Sequence, residues 1–250
     1  MNFKNYLNNL IKSLTGLTSF IFLICLMPLL ASAVIKVSTL HVDFLPTGNQ
    51  FQDVFIQNAG TDVEYVNVSL FKRTNPVQDP NKIESASGQN PKDFGMVVTP
   101  NKLAIAPGQI KRVRLLNLSH GNKTDVVYGL NILPVPAPVL RSKETEDVHT
   151  AAQVEIISAF VVGVYVLPVN PHVNLSLKRD GKTLTAENTG NTNVLLDNGQ
   201  QCTTDKKPVC TEVDPLRVYG NSKVQIKLSQ DLPVTYRESY SDKNEMITSN

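Results

Sequence analysis

Apolar and polar residues alternate in short stretches along most of the chain, as they do in β-strands with one buried face. In residues 63–71 the side chains of Val66, Val68 and Leu70 share one face, and polar side chains dominate the other. Similar stretches recur at a spacing of about 8–12 residues between turn signals, which is typical of β-sandwiches and barrels. No segment shows a sustained helical period. The pattern therefore predicts an all-β protein.

Two longer segments, residues 74–93 and 134–153, have the polar and Pro-rich composition of loops. The second is followed by the longest predicted strand, residues 154–167, which is long because strands usually have about 5–6 residues. Pro168 and Pro171 then interrupt the pattern, because proline cannot continue a hydrogen-bonded ladder. The predicted division is a first β domain at residues 34–167, a hinge at 168–171 and a second β domain at 172–250.

The N-terminal residues 1–33 have the composition of a secretory signal peptide. They contain Lys4 and Lys12, then an apolar run at 17–30, then the small-residue triplet Ala31-Ser32-Ala33. The alternative is an uncleaved membrane anchor, but the apolar run is short for the roughly 20 residues that a spanning helix needs. We predict cleavage after Ala33 and export of the protein.

Charge and motif content argue against several classes of function. The 24 basic side chains exceed the 22 acidic ones by two, and two lysines lie in the predicted signal peptide, so the exported chain is neutral. A nucleic-acid-binding protein needs a clustered basic excess. The four histidines lack metal-ligand spacing, and the chain has neither a nucleophile elbow nor a phosphate-binding glycine loop. We therefore expect no enzyme, no metal and no cofactor.

Two cysteines, Cys202 and Cys210, remain after removal of the predicted signal peptide. An even pair in an exported protein predicts one disulfide, and the alternatives are two free thiols or half of a metal site.

Two features suggest binding of another protein. Both faces of residues 154–162 are mostly apolar, so the segment is either a central core strand or an edge strand that lends an apolar face to a partner. Arg112 and Arg114 alternate with apolar residues in a second strand. They predict either a solvated basic face or a pocket for a carboxylate, which arginine binds through two parallel hydrogen bonds.

The chain resembles the PapD-like periplasmic chaperones of pilus (fimbrial) assembly, in a divergent form. The resemblance rests on residues 37–58 (VSTLHVDFLPTGNQFQDVFIQN), on residues 96–116 (MVVTPNKLAIAPGQIKRVRLL), on Tyr128-Gly129-Leu130-Asn131-Ile132-Leu133-Pro134 and on Val164-Tyr165-Val166-Leu167-Pro168. The most specific part is Val98-Thr99-Pro100 followed by Ala106-Pro107-Gly108-Gln109. The second domain matches only weakly, through Glu187-Asn188-Thr189-Gly190.

The resemblance implies two immunoglobulin-like β-sandwich domains set as a boomerang, and a non-enzymatic chaperone of the periplasm. Such a chaperone stabilises pilus subunits by donor-strand complementation, lending alternate side chains of its long strand. It then delivers them for assembly, and the implied recipient is an outer-membrane usher. The donor side chains implied here are Val154, Ile156, Ser158, Phe160 and Val162. We expect this apolar row to be masked in the free protein by self-association or by the 134–153 loop.

The chain departs from the family at the site that anchors the carboxylate at the subunit's C-terminus. The family has a basic residue on the first strand and another on the long strand. The corresponding positions in this chain are Val42 or Asp43 on the first strand, and Gly163 or its neighbour on the long strand, and neither is basic. We therefore expect one of two arrangements. Either Arg112 or Arg114 provides a displaced anchor, with Lys36 or His41 next in line, or the carboxylate is captured in a different way. The alternative function is a secreted structural protein, an adhesin or pilus component with two immunoglobulin-like domains.

Overall fold

The structure is a computed structural model that describes residues 35–74, 76, 79, 81–136, 158–204, 207–240 and 243–249. All of them belong to one compact unit, Val34–Asn250. The elements in chain order are β1 (Ile35–Val37), β2 (His41–Phe44), β3 (Phe51–Asn58), β4 (Glu64–Arg73), β5 (Ile83–Ser85), α1 (Pro91–Phe94), β6 (Met96–Thr99), β7 (Lys102–Ile105), β8 (Ile110–Asn117), β9 (Val126–Val135), β10 (Phe160–Val166), β11 (Leu175–Asp180), β12 (Thr183–Asn188), β13 (Val194–Cys202), β14 (Cys210–Val213), β15 (Leu216–Val218), β16 (Ser222–Lys227), β17 (Val234–Tyr240) and β18 (Lys243–Thr248).

Strands β1–β10 form the first sandwich. One sheet has the order β1-β3-β8-β6, and the facing sheet has the order β2-β10-β9-β4-β5, with β7 also paired to β4. The side chains of Val66, Val68 and Leu70 point into the core between these sheets, as the alternation predicts. Strands β2 and β10 pair in parallel, whereas β10 and β9 pair antiparallel. This places β10 between two neighbours over part of its length.

Strands β11–β18 form the second sandwich. Its sheets have the orders β11-β12-β16 and β14-β13-β17-β18, with β15 also paired to β13. Its core is a separate apolar cluster that includes Leu184, Leu196 and Tyr236. The Cys202–Cys210 disulfide joins β13 to β14, which confirms the predicted bridge. The all-β class with two immunoglobulin-like sandwiches is likewise confirmed.

Two expectations about individual elements were wrong. Residues 74–93 were expected to form a loop, but they contain β5, which pairs with the end of β4, and most of α1. The helix forms because the Asn90 side chain accepts a hydrogen bond from the Lys92 amide and Pro91 occupies its first turn. The long strand was expected to run unbroken from Val154 to Leu167, but Ser158 and Ala159 lie outside any strand and β10 begins at Phe160. Within the described part of the chain, no helix is long and apolar enough to cross a membrane.

Candidate binding site

Strand β10 has an open edge over its first three residues. Its pairing with β9 runs from Phe160 to Val166, but its pairing with β2 begins only at Gly163. The Gly163 amide donates to the Leu40 carbonyl. Because backbone groups alternate sides along a strand, the amide and carbonyl of Val161 point in the same direction as those of Gly163. Among the described residues, no strand occupies this edge next to Val161.

The faces of β10 differ from the expected arrangement. Val162 was expected to enter a partner's groove, but it is 0% exposed and belongs to the core of the first sandwich. Phe160 is partly buried against the same core, whereas Val161 is 49% exposed. Val161 rather than Val162 is therefore the outward-facing residue of this pair. The register decides this, because Val162 lies opposite the buried Leu130 of β9.

The remaining candidate donor residues precede β10. Ser158 is exposed and lies outside any strand. Val154 and Ile156 lie outside the described residues, as does most of the 134–153 loop that was expected to mask them.

A cleft lies between the two sandwiches, beside the open edge of β10. It is a cavity of about 510 Å³. The first sandwich contributes Leu40, His41, Arg73, Pro76, Val127, Tyr128, Gly129, Val161, Gly163 and Tyr165, and the second contributes Arg217 and Tyr219. The cleft therefore combines apolar and aromatic walls with two arginines and a histidine. This is a suitable environment for a carboxylate at the end of an apolar peptide.

Arg217 is held over an aromatic ring in this cleft. Its guanidinium carbon lies 4.0 Å from the centre of the Tyr165 ring, within the range of a cation–π contact. The Tyr165 side chain folds back over Gly163, where a Cβ would lie only 2.8 Å from the Tyr165 hydroxyl oxygen. Glycine at position 163 thus allows Tyr165 to lie flat beneath Arg217. Burial raises the pKa of the neighbouring Tyr219 to about 12, so this phenol stays protonated.

Two carboxylates adjoin the contact between the sandwiches. Burial raises the pKa of Asp43, and its Oδ1 atom is buried with no hydrogen-bond partner among the described residues. Burial also raises the pKa of Asp125, which accepts hydrogen bonds from the side chains of Thr192 and Asn193. Arg217 lowers the pKa of both carboxyl groups, but less strongly than burial raises them.

Arg112 and Arg114 lie on the other sheet of the first sandwich. Two hydrogen bonds of 2.7 and 2.8 Å join the guanidinium of Arg114 to the Asp53 carboxylate. Its carbon also lies 4.2 Å from the centre of the Phe51 ring. Arg112 approaches the same carboxylate at 3.8 Å. Neither arginine lines the cleft described above. The prediction that they hold a partner's carboxylate therefore has no support in this arrangement, because Arg114 already has an internal carboxylate partner.

Several residues of the site were missed in the sequence. Arg217 and Tyr219 come from the second sandwich, and Asp125 precedes β9. Local alternation around β15 shows a short strand but carries no signal that Arg217 reaches Tyr165. The contact between Arg217 and Tyr165 follows only from the position of the second sandwich relative to the first.

Comparison with solved structures finds similar folds. The E. coli chaperone DraB matches with a TM-score of 0.57 and 13% identity, over 86% of this chain and 97% of its own. A chain of the Salmonella enterica complex of the SafA pilin with the SafB chaperone matches with a TM-score of 0.56 and 14% identity, over 86% and 96%. The class 5 fimbriae chaperone CfaA matches with a TM-score of 0.53 and 17% identity, over 86% and 99%.

No protein-family model and no curated protein matches the chain. The similarity to solved structures nevertheless extends over most of both chains and includes both sandwiches. The resemblance predicted from the sequence is confirmed at the level of the fold: this chain has the two-sandwich fold of the fimbrial chaperones.

Proposed function

We propose that the protein is a periplasmic chaperone that binds pilus subunits and keeps them competent for assembly. The observation that carries the proposal is the open edge of β10 at Val161, which lies beside a basic and aromatic cleft. An open strand edge binds an extended peptide through main-chain hydrogen bonds. The solved structures of similar fold include chaperones, one of them in a complex with a pilin.

Donor-strand complementation is the proposed mechanism of binding. The subunit adds a strand at the open edge of β10, and apolar side chains that precede β10 fill the subunit's groove. Val154, Ile156 and Ser158 remain proposed donors, and Phe160 can contribute its exposed part. Val162 is withdrawn from this set because removing it from the core of the first sandwich would destabilise the chaperone itself.

The proposed anchor for the subunit's terminal carboxylate is the cleft rather than the Arg112–Arg114 face. Arg217 presents a guanidinium on the Tyr165 ring, and Arg73 and His41 line the same cavity. A charge-assisted hydrogen bond to a carboxylate contributes about 1.5–3 kcal/mol when it is partly buried. An outer-membrane usher is the proposed recipient of the bound subunit.

The first test changes the open edge without changing the core. Val161→Pro removes the amide that points to the edge, and proline is tolerated where that amide has no partner strand. Each pilus subunit of the source organism is co-expressed with the tagged chaperone, and the complexes are purified from the periplasm. We expect Val161→Pro to fold and to lose at least 90% of the subunit that the parent protein retains, a loss of about tenfold or more.

Val161→Ala is the matched control, because it keeps the amide and removes most of the side chain. It should retain most of the bound subunit. Circular dichroism and thermal unfolding of both variants establish that they fold. A folded Val161→Pro protein that retains as much subunit as the parent would show that this edge is not used.

A further inference from the structure

A chain of polar contacts runs from the first sandwich to the arginine in the cleft. It begins at Asp125, immediately before β9. The Asp125 carboxylate accepts hydrogen bonds from Thr192 Oγ1 at 2.8 Å and from Asn193 Nδ2 at 2.9 Å, and also from the Asn193 backbone amide. Thr192 and Asn193 precede β13 of the second sandwich, and both are buried. A single carboxylate thus holds two consecutive residues of the other sandwich.

Asn193 continues this chain to Arg217. Its Oδ1 atom accepts a hydrogen bond from Arg217 Nη1, and the Arg217 guanidinium lies over Tyr165. A carboxamide has one accepting and one donating end, so the partner at one end determines what the other end offers. Asp125 can only accept while it is ionised, and therefore it holds the NH₂ group of Asn193. The carbonyl oxygen is consequently turned toward Arg217.

We propose that Asp125, acting through the side chain of Asn193, is a positioning residue for Arg217 in the cleft. Asn193 fixes one Nη group of Arg217 from the second sandwich, while Tyr165 of the first sandwich supports the face of the guanidinium. The remaining N–H groups stay directed to the cleft, where they receive the carboxylate of a bound peptide. This inference rests on the proposed function, because it assigns the groups that orient the carboxylate-binding arginine.

The arrangement makes carboxylate recognition depend on the contact between the sandwiches. The backbone and Thr192 contacts attach the second sandwich to Asp125, but they do not reach Arg217. Among the described residues, the Asn193 side chain is the one that hydrogen-bonds both Asp125 and Arg217. Removing this side chain therefore breaks the link to the arginine but keeps the attachment of the two sandwiches, because the backbone amide of residue 193 still donates to Asp125.

The probe is a fluorescein-labelled peptide of ten alternating threonine and valine residues with a free C-terminal carboxylate. Its twin ends in an amide. Fluorescence anisotropy gives the dissociation constant of each peptide for the full exported protein. We expect the parent protein to bind the carboxylate form about tenfold more tightly than the amide form, as one partly buried charge-assisted hydrogen bond allows. In Asn193→Ala this preference should fall to less than threefold, while affinity for the amide form changes less than twofold.

Thr192→Val is the matched control. It removes one hydrogen bond to Asp125 and leaves the Asn193–Arg217 contact in place, so it should keep the tenfold preference. Loss of the preference in Thr192→Val to the same extent as in Asn193→Ala would overturn the proposal, since the effect would then come from the attachment of the sandwiches. An unchanged preference in a folded Asn193→Ala protein would also overturn it.

A second measurement does not depend on peptide binding. In the NMR spectrum of ¹⁵N-labelled parent protein, restricted rotation of the Arg217 guanidinium should give separate signals for its two Nη groups. These signals are assigned by their loss in Arg217→Lys. These signals should merge in Asn193→Ala and persist in Thr192→Val. Signals that stay separate in Asn193→Ala would overturn the positioning role. A parent protein with separate signals but no preference for the carboxylate peptide would instead contradict the proposed carboxylate anchor and leave the positioning role supported.

Discussion

Asp43 and Asp53 lie in the same sandwich, and their surroundings shift their pKa values in opposite directions. Burial raises the pKa of Asp43, while hydrogen bonds from Arg114 lower the pKa of Asp53. A depressed pKa adds stability above the unfolded-state pKa, and this stability is lost as the pH falls through the folded-state value. A raised pKa has the opposite consequence, because stability is then lost as the pH rises through the folded-state value.

We predict that Asp43→Asn increases the free energy of unfolding at pH 7 by about 1 kcal/mol, because a buried oxygen without a partner no longer carries charge. The gain should disappear below the ordinary aspartate pKa of 3.8, where the wild-type carboxyl group is protonated in both states. Urea unfolding at pH 7 and at about pH 3 measures the difference.

Asp53→Asn is the comparison variant, and it should change the free energy of unfolding in the opposite direction. It removes the carboxylate that pairs with Arg114, so it should lower stability at neutral pH and have little effect in acid. If instead Asp43→Asn lowers the stability at pH 7 and this loss disappears at about pH 3, attraction to Arg217 outweighs the burial of Asp43.

Strand β10 shows how far an element can be predicted from its own residues. Alternation correctly indicated the core faces of β4 and β8, because the outward positions near their centres are polar or basic: Asn67 and Ser69 in β4, and Arg112 and Arg114 in β8. In β10 both faces are apolar, and Val161 and Val162 are identical in type. Only the pairing of Val162 with buried Leu130 decides which one enters the core. Similarly, β14 and β18 were missed because these polar edge strands have little apolar alternation.

The disulfide between β13 and β14 permits a prediction for one sandwich alone. Replacing both Cys202 and Cys210 by alanine should lower the stability of the second sandwich by about 2–3 kcal/mol, since the bridge closes a short loop in the unfolded chain. Native-state hydrogen exchange measures this at the amides of β13 and β17. The buried amides of β9 should be unaffected, because they belong to the core of the first sandwich. An equal increase in the hydrogen-exchange rates of both sandwiches would show instead that the two unfold as one unit.

At the scale of the whole molecule, the two sandwiches have separate apolar cores and are joined by polar contacts. Asn191 Nδ2 donates to the carbonyl oxygens of Lys123 and Asn170, and the Val169 amide donates to the Asn122 carbonyl. The sequence indicated a boundary near the two prolines, but it could not indicate these partners, which lie far apart along the chain.

The proposed location of the protein predicts its mature N-terminus. Export should remove residues 1–33 and leave Val34 first, because cleavage follows the small-residue triplet that ends at Ala33. Edman sequencing of protein from the periplasmic fraction measures this. An Ala33→Leu variant, which spoils the cleavage site, serves as the control and should accumulate with Met1 or its neighbours retained in the membrane fraction. Intact parent chains in that fraction would contradict the prediction.

The first ten described residues connect both sheets of the first sandwich. Strand β1 pairs with β3 in one sheet, and β2, three residues later, pairs with β10 in the other. This segment closes one side of the sandwich, and it becomes the start of the chain if export removes residues 1–33 as predicted. A free end can be withdrawn without breaking the chain or threading it through a loop. Its withdrawal would uncover two strand edges at once and lengthen the open edge of β10 from three residues to seven. The length of the open edge of β10 therefore depends on where this N-terminal segment pairs with it.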